Sequence, residues 1–550
     1  MNWRTLPLAA ALAASALASP ALAGGDEIRQ LVILSRPQAA QPQEFQAIQL
    51  IAQEWRKLGL DIKVDVMPWE QMSDLVWYQR DKWDITAWQM VGRPERGDPD
   101  ELTFNLFHSS TAKEGYNFVG YNNPAYDEIA AAQRKEIDPA KRQALVFQAQ
   151  EIIARDQPIM NLVHPKLSFA YNKEVWDEKT VVDQAGIGIK NFWTFTGITP
   201  LGDKKDILLN SADNIVAINP LYISGGTDSW ITELVWDRLL RVGPDGLPKP
   251  WLAESYNWVD GTTLDVTIRK GVKWHDGTPL TSDDIIFSFT APQGEKAPMY
   301  TPFVGNIASV ESVGDNVVRF KLKDPSAPFL VGTLAKVNII PKAVWEAKLA
   351  ALEGKPETAE SVQEEKPLGS GPFKFVRWLT NEEVVLEANP DHFSAPKAQR
   401  WILRIVPNTE AALGMLKSGE INFLSDYAGD PKLLEQLVTS TPSLAQVTTT
   451  ELGFRYVAMN ERRAPFDDAA FRRALSTAID RRMIVGAAFQ GYAVPANSVI
   501  APVMTFWHNP AVNDFPTGLD KAQAILKDAG YTIEGGRLHY PDGKTETLAK

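Results

Sequence analysis

The residues able to do chemistry are few and far apart in this chain. Its six histidines lie at positions 108, 164, 275, 392, 508 and 539, without the close spacing of a metal site. The sequence contains no cysteine, no H-E-x-x-H, no G-x-S-x-G and no phosphate-binding glycine loop. Catalysis needs a nucleophile with a base within reach, and the sequence shows no such pair. We therefore predict a protein that is not an enzyme, with no catalytic residues, no metal and no cofactor.

One segment, His275-Asp276-Gly277, has the composition of part of a hydrolase triad. It precedes the segment Thr-Ser-Asp-Asp at 281–284, which is typical of a helix start. A turn between two elements explains these residues without catalysis, so the sequence predicts a structural turn. A hydrolase is the alternative, and it requires an acid–base pair in a cleft.

The elements that must position any site follow from hydrophobic periodicity. Residues 31–34 are continuously apolar, apolar residues between 45 and 58 fall at helical spacing, and residues 60–66 alternate as in a second strand. Asp138-Pro139 is typical of a helix N-cap followed by proline at the first helical position. Strand-like alternation recurs at 264–268 and 318–322. These patterns predict an α/β fold class, and 550 residues are too many for one core, so we expect two or more domains.

The first 23 residues predict a cleavable secretory signal peptide. Arg4 is their one charged residue, residues 7–22 are uncharged and rich in Ala and Leu, and Ala21-Leu22-Ala23 is a small-x-small cleavage pattern. Without cysteine the protein cannot be a lipoprotein, so we predict a free periplasmic protein. Its net charge is −12, and this acidity disfavours nucleic acid and anionic membranes as partners.

An ordered set of motifs then resembles one protein family. The segments are 246–255 (GLPKPWLAES), 269–284 (RKGVKWHDGTPLTSDD), 367–373 (PLGSGPF), 419–421 (GEI), 460–466 (NERRAPF) and 472–476 (RRALS). This set resembles the extracellular solute-binding proteins of family 5, the peptide, nickel and oligosaccharide binders of ABC importers. The resemblance implies a two-lobed periplasmic-binding-protein fold (type II-like, of the large peptide-binder class), with a hinge and an interlobe cleft.

The motifs stand in an unusual order for that family. Residues 28–200 resemble the part that ends its members, and the part that opens them starts only near Ile207. We therefore predict a circular permutation, with a scrambled gene as the alternative. Lobe one is predicted to be contiguous, residues 166–452, and lobe two to consist of 28–165 plus 453–550, with crossings near 162–166 and 451–456. The permutation also predicts that Leu31 and Leu548 lie side by side.

The resemblance implies ligand contacts at a small set of residues. Peptide-binding relatives place an aspartate after a tryptophan to hold the ligand's amino group. Here no aspartate stands at the expected place after Trp88, and Arg93 and Glu95 lie in its neighbourhood, which puts recognition of a free amine in doubt. Arg36 occupies the place of an arginine that, in relatives that bind dipeptides, pairs with a ligand carboxylate. The planar guanidinium group can donate two parallel hydrogen bonds to the two oxygens of a carboxylate. Further contacts are predicted from the loop around Tyr222, Gly225, Gly226 and Thr227. For each charged residue the alternative is an ordinary salt bridge or exposed charge.

The resemblance predicts the substrate-binding component of an ABC importer. The component would capture a peptide or peptide-like solute by closure of the lobes, act as a monomer and deliver its ligand to permease subunits in the inner membrane. The alternatives are an oligosaccharide, opine or other acidic solute as ligand, a sensor or peptide chaperone without its own importer, and a periplasmic hydrolase on this fold.

Overall fold

The structure is a computed structural model that describes residues 25–113, 115–222 and 226–544. The predicted signal peptide, Gly225 and Leu548 lie outside the described residues. The described strands are β1 Leu31–Ser35, β2 Ile62–Val66, β3 Ile85–Met90, β4 Ile159–Asn172, β5 Asp206–Ser211, β6 Leu240–Val242, β7 Pro248–Pro250, β8 Ala253–Trp258, β9 Thr263–Ile268, β10 Ile307–Ser312, β11 Val317–Leu322, β12 Phe373–Leu379, β13 Glu383–Ala388, β14 Arg400–Ile405, β15 Phe423–Leu424, β16 Leu444–Thr450, β17 Phe454–Met459, β18 Ala493–Pro495, β19 Thr532–Glu534 and β20 Arg537–His539.

The described α-helices are α1 Pro42–Arg56, α2 Trp69–Tyr78, α3 Pro124–Lys135, α4 Pro139–Asp156, α5 Phe192–Gly197, α6 Gly226–Val235, α7 Ser282–Thr290, α8 Thr301–Val304, α9 Lys342–Ala350, α10 Thr409–Ser418, α11 Pro431–Ser440, α12 Ala469–Thr477, α13 Arg481–Ala487 and α14 Leu519–Asp528. Helices and strands mix throughout, so the predicted α/β class is confirmed. Across the described residues no helix has the length and apolar character needed to cross a membrane.

Local sequence signals account for where several elements begin. Asp138 caps α4, because its carboxylate accepts hydrogen bonds from the backbone N–H groups of Ala140 and Lys141, each at 3.0 Å. Thr281 and Asp284 form a capping box at the start of α7. Strand β1 pairs in parallel with β2 and β3, as the βαβ pattern predicts.

One long strand joins the two halves of the main sheet. The order is β12-β13-β14-β5-β15-β4-β17-β3-β1-β2, and β16 and β18 also pair with β4. The residues of β4 up to Val163 pair with β17, whereas Lys166 and the residues after it pair with β16. The partner of β4 therefore changes at Pro165, and on the other side the chain passes from β16 to β17 through residues 451–453.

The apolar core is divided in the same way. One pair of clusters contains buried residues between Phe169 and Leu444, including Trp236, Phe289 and Trp401. The other pair contains residues up to Val163 and from Leu452 onward, including Trp55. Two cores joined by a continuous strand are the arrangement expected of a hinged protein.

The two described ends of the chain are in contact. The backbone N–H of Ile28 donates to the carbonyl of Leu538 at 2.9 Å, and the N–H of Tyr540 donates to the carbonyl of Asp26 at 2.9 Å. The guanidinium of Arg537 also pairs with the carboxylate of Glu27 at 2.6 Å. Residues 26–28 therefore extend the β19-β20 hairpin.

Candidate ligand-binding site

A cavity of about 250 Å³ lies where segments of both cores face each other. One wall is Val91–Glu95, directly after β3. The other walls come from Leu167 on β4, the loop that leads into α5, the first turn of α5, one face of α6 from Ser229 to Leu234, and Lys336. The lining residues are Val91, Gly92, Arg93, Pro94, Glu95, Leu167, Gln184, Gly186, Ile187, Lys190, Asn191, Phe192, Phe195, Ser229, Trp230, Glu233, Leu234 and Lys336. The first wall follows the carboxyl end of a strand in the parallel group, the edge at which open α/β sheets bind ligands.

Hydrogen bonds to Glu451 and Leu452, in the segment that connects β16 to β17, hold both walls. On one side, the N–H of Gly92 donates to Oε1 of Glu451 at 3.1 Å. On the other side, the N–H of Leu452 donates to the carbonyl of Gly186 at 3.1 Å. Gly186 has φ +72°, and a Cβ atom there would lie 2.2 Å from Cγ of Leu452, so no larger residue fits.

The loop that forms the second wall is held by one asparagine. The side chain of Asn191 caps α5 by accepting from the N–H of Thr194, and its Nδ2 donates to the carbonyls of Val182 and Gly188, each at 2.6 Å. The N–H of Gln184 donates to the carbonyl of Gly188 at 3.1 Å, which closes the turn. The loop is therefore a built wall with a defined backbone path.

An ion network crosses the cavity. Oε1 of Glu95 lies 3.0 Å from Nζ of Lys336 and 3.8 Å from the guanidinium of Arg238, and Arg238 also pairs with Glu233 at 3.0 Å. Burial raises the pKa of Glu95, but Lys336 and Arg238 outweigh that effect and lower the pKa to about 2. Glu95 is therefore charged at any physiological pH.

Lys190 is a lining cation that, among the described residues, contacts an aromatic ring and not a carboxylate. Its Nζ lies 3.9 Å from the centre of the Trp230 ring, a cation–π contact. Burial lowers the pKa of Lys190 to about 8, while Asp426, Asp213 and Glu451 act in the opposite direction. The described residues supply its ammonium group with no ion pair or hydrogen bond.

Two of the predicted ligand contacts, Arg36 after β1 and Trp88 on β3, are not in the cavity lining. Trp88 is 8% exposed and packs edge-to-face against Trp69 at 4.2 Å, within a core cluster. The guanidinium of Arg36 pairs with Glu44 at 2.6 Å and lies 5.5 Å from the Trp69 ring centre. Arg93 does line the cavity, and its side chain is exposed. Of these three residues, the structure brings one to the cavity.

Arg36 is nevertheless connected to the cavity through a chain of charges. Glu44, its partner, pairs with Arg455 at 3.0 Å, and Arg455 lies 3.5 Å from Glu451. Glu451 accepts the hydrogen bond from Gly92 in the cavity wall. Arg36 therefore helps to fix the groups that support the wall.

The predicted loop contacts lie at the start of α6. The N–H of Tyr222 donates to the carbonyl of Asn219 at 3.2 Å, and the hydroxyl of Thr227 lies 3.1 Å from that of Ser211. Gly226 is the first residue of α6. Tyr222 and Thr227 are not among the described lining residues, which include Ser229, Trp230 and Glu233 of α6. The predicted loop contacts therefore lie beside the helix that lines the cavity.

Sequence reasoning missed Lys190, Trp230 and Lys336. Lys190 and Lys336 belong to segments 146 residues apart, and neither segment carries a motif or a periodic signal. The one available indication was the high number of tryptophans, 17, since aromatic surfaces are common in ligand clefts.

A serine, an aspartate and a histidine from three other segments form a buried structural cluster. The hydroxyl of Ser370 donates to Oδ2 of Asp237 at 2.9 Å, and Nε2 of His392 lies 3.3 Å from Oδ1 of the same carboxylate. The aspartate therefore lies between the serine and the histidine, which is not the order of a Ser-His-Asp triad, in which the histidine contacts the serine. The N–H of Gly277 donates to the carbonyl of Trp274 at 2.9 Å, so the predicted turn at 275–277 is confirmed. Nε2 of His275 lies 3.0 Å from the carbonyl of Gly371, so the turn packs against the glycine-rich motif.

The glycine in that motif is explained by packing. A Cβ atom at Gly369 would lie 1.9 Å from the carbonyl oxygen of Val235, at the end of α6. The motif thus holds the helix that carries Trp230 and Glu233. Within the described part of the chain, no group of three or more His, Cys, Asp or Glu residues could hold a metal ion.

Comparison with known proteins defines the class. Residues 248–549, more than half of the chain, match the model of the bacterial extracellular solute-binding proteins, family 5 Middle. The chain therefore belongs to this family, and the resemblance in the motifs is confirmed.

Individual relatives share part of the chain. The oligopeptide-binding protein AppA of Bacillus subtilis is 32% identical over 351 residues, which cover 62% of this chain and 62% of the relative. The dipeptide-binding protein of Escherichia coli is 27% identical over 353 residues, 59% of this chain and 63% of the relative. This chain thus spans less than two thirds of the length of either relative. The structure of the Bacillus subtilis protein with a nonapeptide is 27% identical, with a TM-score of 0.44, and covers 62% of this chain and 67% of that one.

Proposed function

We propose that this protein is the periplasmic substrate-binding component of an ABC importer and captures a peptide or peptide-like solute without turning it over. The observation that carries the proposal is a cavity whose walls come from both cores of a protein in this family. A ligand that contacts both walls favours the closed arrangement, which is how binding is converted into a signal for a transporter. Relatives described as oligopeptide- and dipeptide-binding proteins support the ligand class.

The two lobes would be residues 166–452 and residues 28–165 plus 453–550. Supporting this division, β4 exchanges β17 for β16 at Pro165, and the buried clusters separate at the same places. Leu452 is the exception, because it packs with the second lobe although it precedes the predicted boundary. The hinge would therefore comprise residues 163–166 and 451–453.

The circular permutation is part of the same proposal. The contact of residues 26–28 with residues 538–540 supports it, because joined segments of a family member should stay neighbours after the chain is cut between them. Glu27 and His539 face each other across an isolated bridge. A Glu27→Cys and His539→Cys pair should form a disulfide in the purified protein, since the chain has no other cysteine. Unreacted thiols under oxidising conditions would favour the scrambled gene instead.

The proposal includes the destination and partners of the protein. Residues 1–23 would be removed on export, the mature protein would act as a monomer in the periplasm, and permease subunits would receive the ligand. The net charge of −12 supports a role without nucleic acid.

The function can be tested by identifying what the protein carries. The protein purified from its own periplasm is denatured mildly, and released molecules are identified by mass spectrometry. Refolded protein should rebind the same molecule, with a rise in melting temperature and no change in the molecule's mass. Time-dependent cleavage that persists after repurification would support the hydrolase, and a protein that carries and rebinds nothing would contradict the proposal.

A further inference from the structure

We propose that Lys190, with its ammonium group on the face of Trp230, forms a subsite for a carboxylate, so that the ligand is a small anionic solute. This inference rests on the proposed function, because it takes the cavity to be the ligand site. Nothing in the family motifs points to Lys190; the inference comes from how the charges around the cavity are paired.

The ionic side chains in the buried part of the lining have partners, except for Lys190. Glu95 is paired with Lys336, and Glu233 is paired with Arg238. Lys190 has the Trp230 ring beneath it and, among the described residues, no carboxylate in ion-pair contact. A cation in a partly desolvated wall without a counter-ion is stabilised by an anion that enters the cavity.

The remaining charges of the lining favour the same sign of ligand, although the carboxylates of Asp213, Asp426 and Glu451 lie beyond it. Arg93 adds a second cation at the edge of the cavity. Both carboxylates of the lining, Glu95 and Glu233, already bind cations, so a ligand ammonium group would have to displace Lys336 or Arg238. The cavity therefore selects a carboxylate and does not require a free amine.

The size of the cavity limits the ligand further. Its volume of about 250 Å³ lies below the roughly 300–1,000 Å³ of sites for drug-sized ligands. Phe192, Phe195 and Leu234 line it beside the charged groups. A molecule of dipeptide size or smaller, with a carboxylate at one end and an apolar part at the other, fits this combination.

The protonation of Lys190 supplies a readout that a structural role would not produce. Burial lowers its pKa to about 8, so part of the free protein loses this charge as the pH rises above 8. The other charged groups near it are Arg93, Glu95, Glu233 and Lys336 in the lining and Asp213, Asp426 and Glu451 beyond it. Affinity for a carboxylate should therefore fall between pH 7.5 and pH 9.5, and Lys190→Arg should remove this fall, because arginine stays protonated.

The test uses probes that differ by one group. Alanylalanine, its N-acetyl derivative, its C-terminal amide and glutarate are titrated calorimetrically into the wild-type protein and into Lys190→Met. The control variant is Lys179→Met. Lys179 is exposed, belongs to the same proposed lobe as Lys190 and lies outside the lining. We expect at least one carboxylate probe to bind, N-acetylation to be tolerated and the amide to bind weakly. Lys190→Met should weaken binding by at least about 30-fold, and Lys179→Met should leave it unchanged.

Several results would overturn the subsite. Equal affinity of Lys190→Met and wild type, equal binding of acid and amide, binding of none of the four probes, or a co-purified ligand without an acidic group would each do so. These outcomes differ from failure of the proposed function, in which the wild-type protein also neither carries nor rebinds any solute. Correct folding of Lys190→Met is checked by its melting temperature, and Lys190→Arg, which keeps the charge, should retain most of the affinity.

Discussion

The ion pair between Glu95 and Lys336 predicts how the two lobes respond when ligand is absent. Glu95 follows β3 in the proposed second lobe, whereas Lys336 and Arg238 belong to the proposed first lobe. The contact therefore crosses the cavity and favours the closed arrangement. Glu95→Gln removes the negative charge with little change in shape and leaves two cations facing a neutral amide. We expect this variant to open.

The size of the effect follows from the pKa of Glu95. A fall of that pKa from 4.5 to about 2 corresponds to about 3 kcal/mol in favour of the charged form. The Glu95 side chain is 16% exposed, so solvent screening reduces the expected effect to about 2 kcal/mol, or roughly 30-fold in the closing equilibrium. The carboxylate keeps its charge above about pH 4.5, and its contribution is lost only as the pH falls towards 2.

Opening of the lobes can be measured with spin labels at chosen positions, because the chain has no native cysteine that would also react. Tyr78→Cys and Val259→Cys place spin labels on exposed residues of the two proposed lobes, 83% and 52% exposed. The distribution of distances between the labels should shift to longer values in Glu95→Gln. The matched control is Glu233→Gln, which lines the same cavity and pairs with Arg238 inside one lobe, at 3.0 Å. An unchanged distribution in Glu95→Gln, or an equal shift in Glu233→Gln, would refute a contact that holds the lobes together.

Three further predictions concern single groups. Asp98→Asn removes the negative charge beside the buried guanidinium of Arg142 and one of the two hydrogen bonds, 2.6 and 2.8 Å, that the carboxylate accepts from it, and should cost about 3–5 kcal/mol in urea denaturation. Asp265→Asn, at the more exposed pair with Arg319, should cost much less, and equal losses would contradict this reasoning. Burial lowers the pKa of His164 to about 4, so stability should fall by about 2 kcal/mol between pH 7 and pH 5 as the unfolded chain takes up a proton. His164→Gln should remove that part of the pH dependence, and identical pH profiles of denaturation would disprove it. Arg93→Ala, at the exposed edge of the cavity, should weaken binding of a carboxylate probe by only about 1 kcal/mol; unchanged affinity by calorimetry would exclude Arg93 from the site.

Local elements were predictable because their signals are local. The N-cap at Asp138 acts on the two backbone N–H groups next to it, and the capping box of α7 spans only four residues. The turn at His275 was predicted correctly for the same reason, although its packing against Gly371, 96 residues later, was not visible. The α/β class followed from the periods of these elements.

The predicted site was only partly brought together. Arg93 reached the cavity, whereas Arg36 met a carboxylate eight residues later, and Trp88 became part of an aromatic core. The sequence shows that an arginine or a tryptophan is present, but it does not show which neighbouring side chain pairs with it or packs against it. In this structure Arg36 pairs with Glu44 and Trp88 packs against Trp69, and neither residue is in the cavity lining.

The family, the α/β class, the main helix starts and the lack of cysteine chemistry could be predicted from the residues alone, because each depends on short segments or on composition. Which charges line the cavity, and which of them are neutralised, depends on how distant segments are brought together in the fold. Glu95, Lys190 and Lys336 come from three separate segments, and their roles depend on distances of a few ångströms across a partly desolvated space. Electrostatic interactions strengthen as water is excluded, and exclusion of water is a property of the folded assembly of segments, not of any one of them.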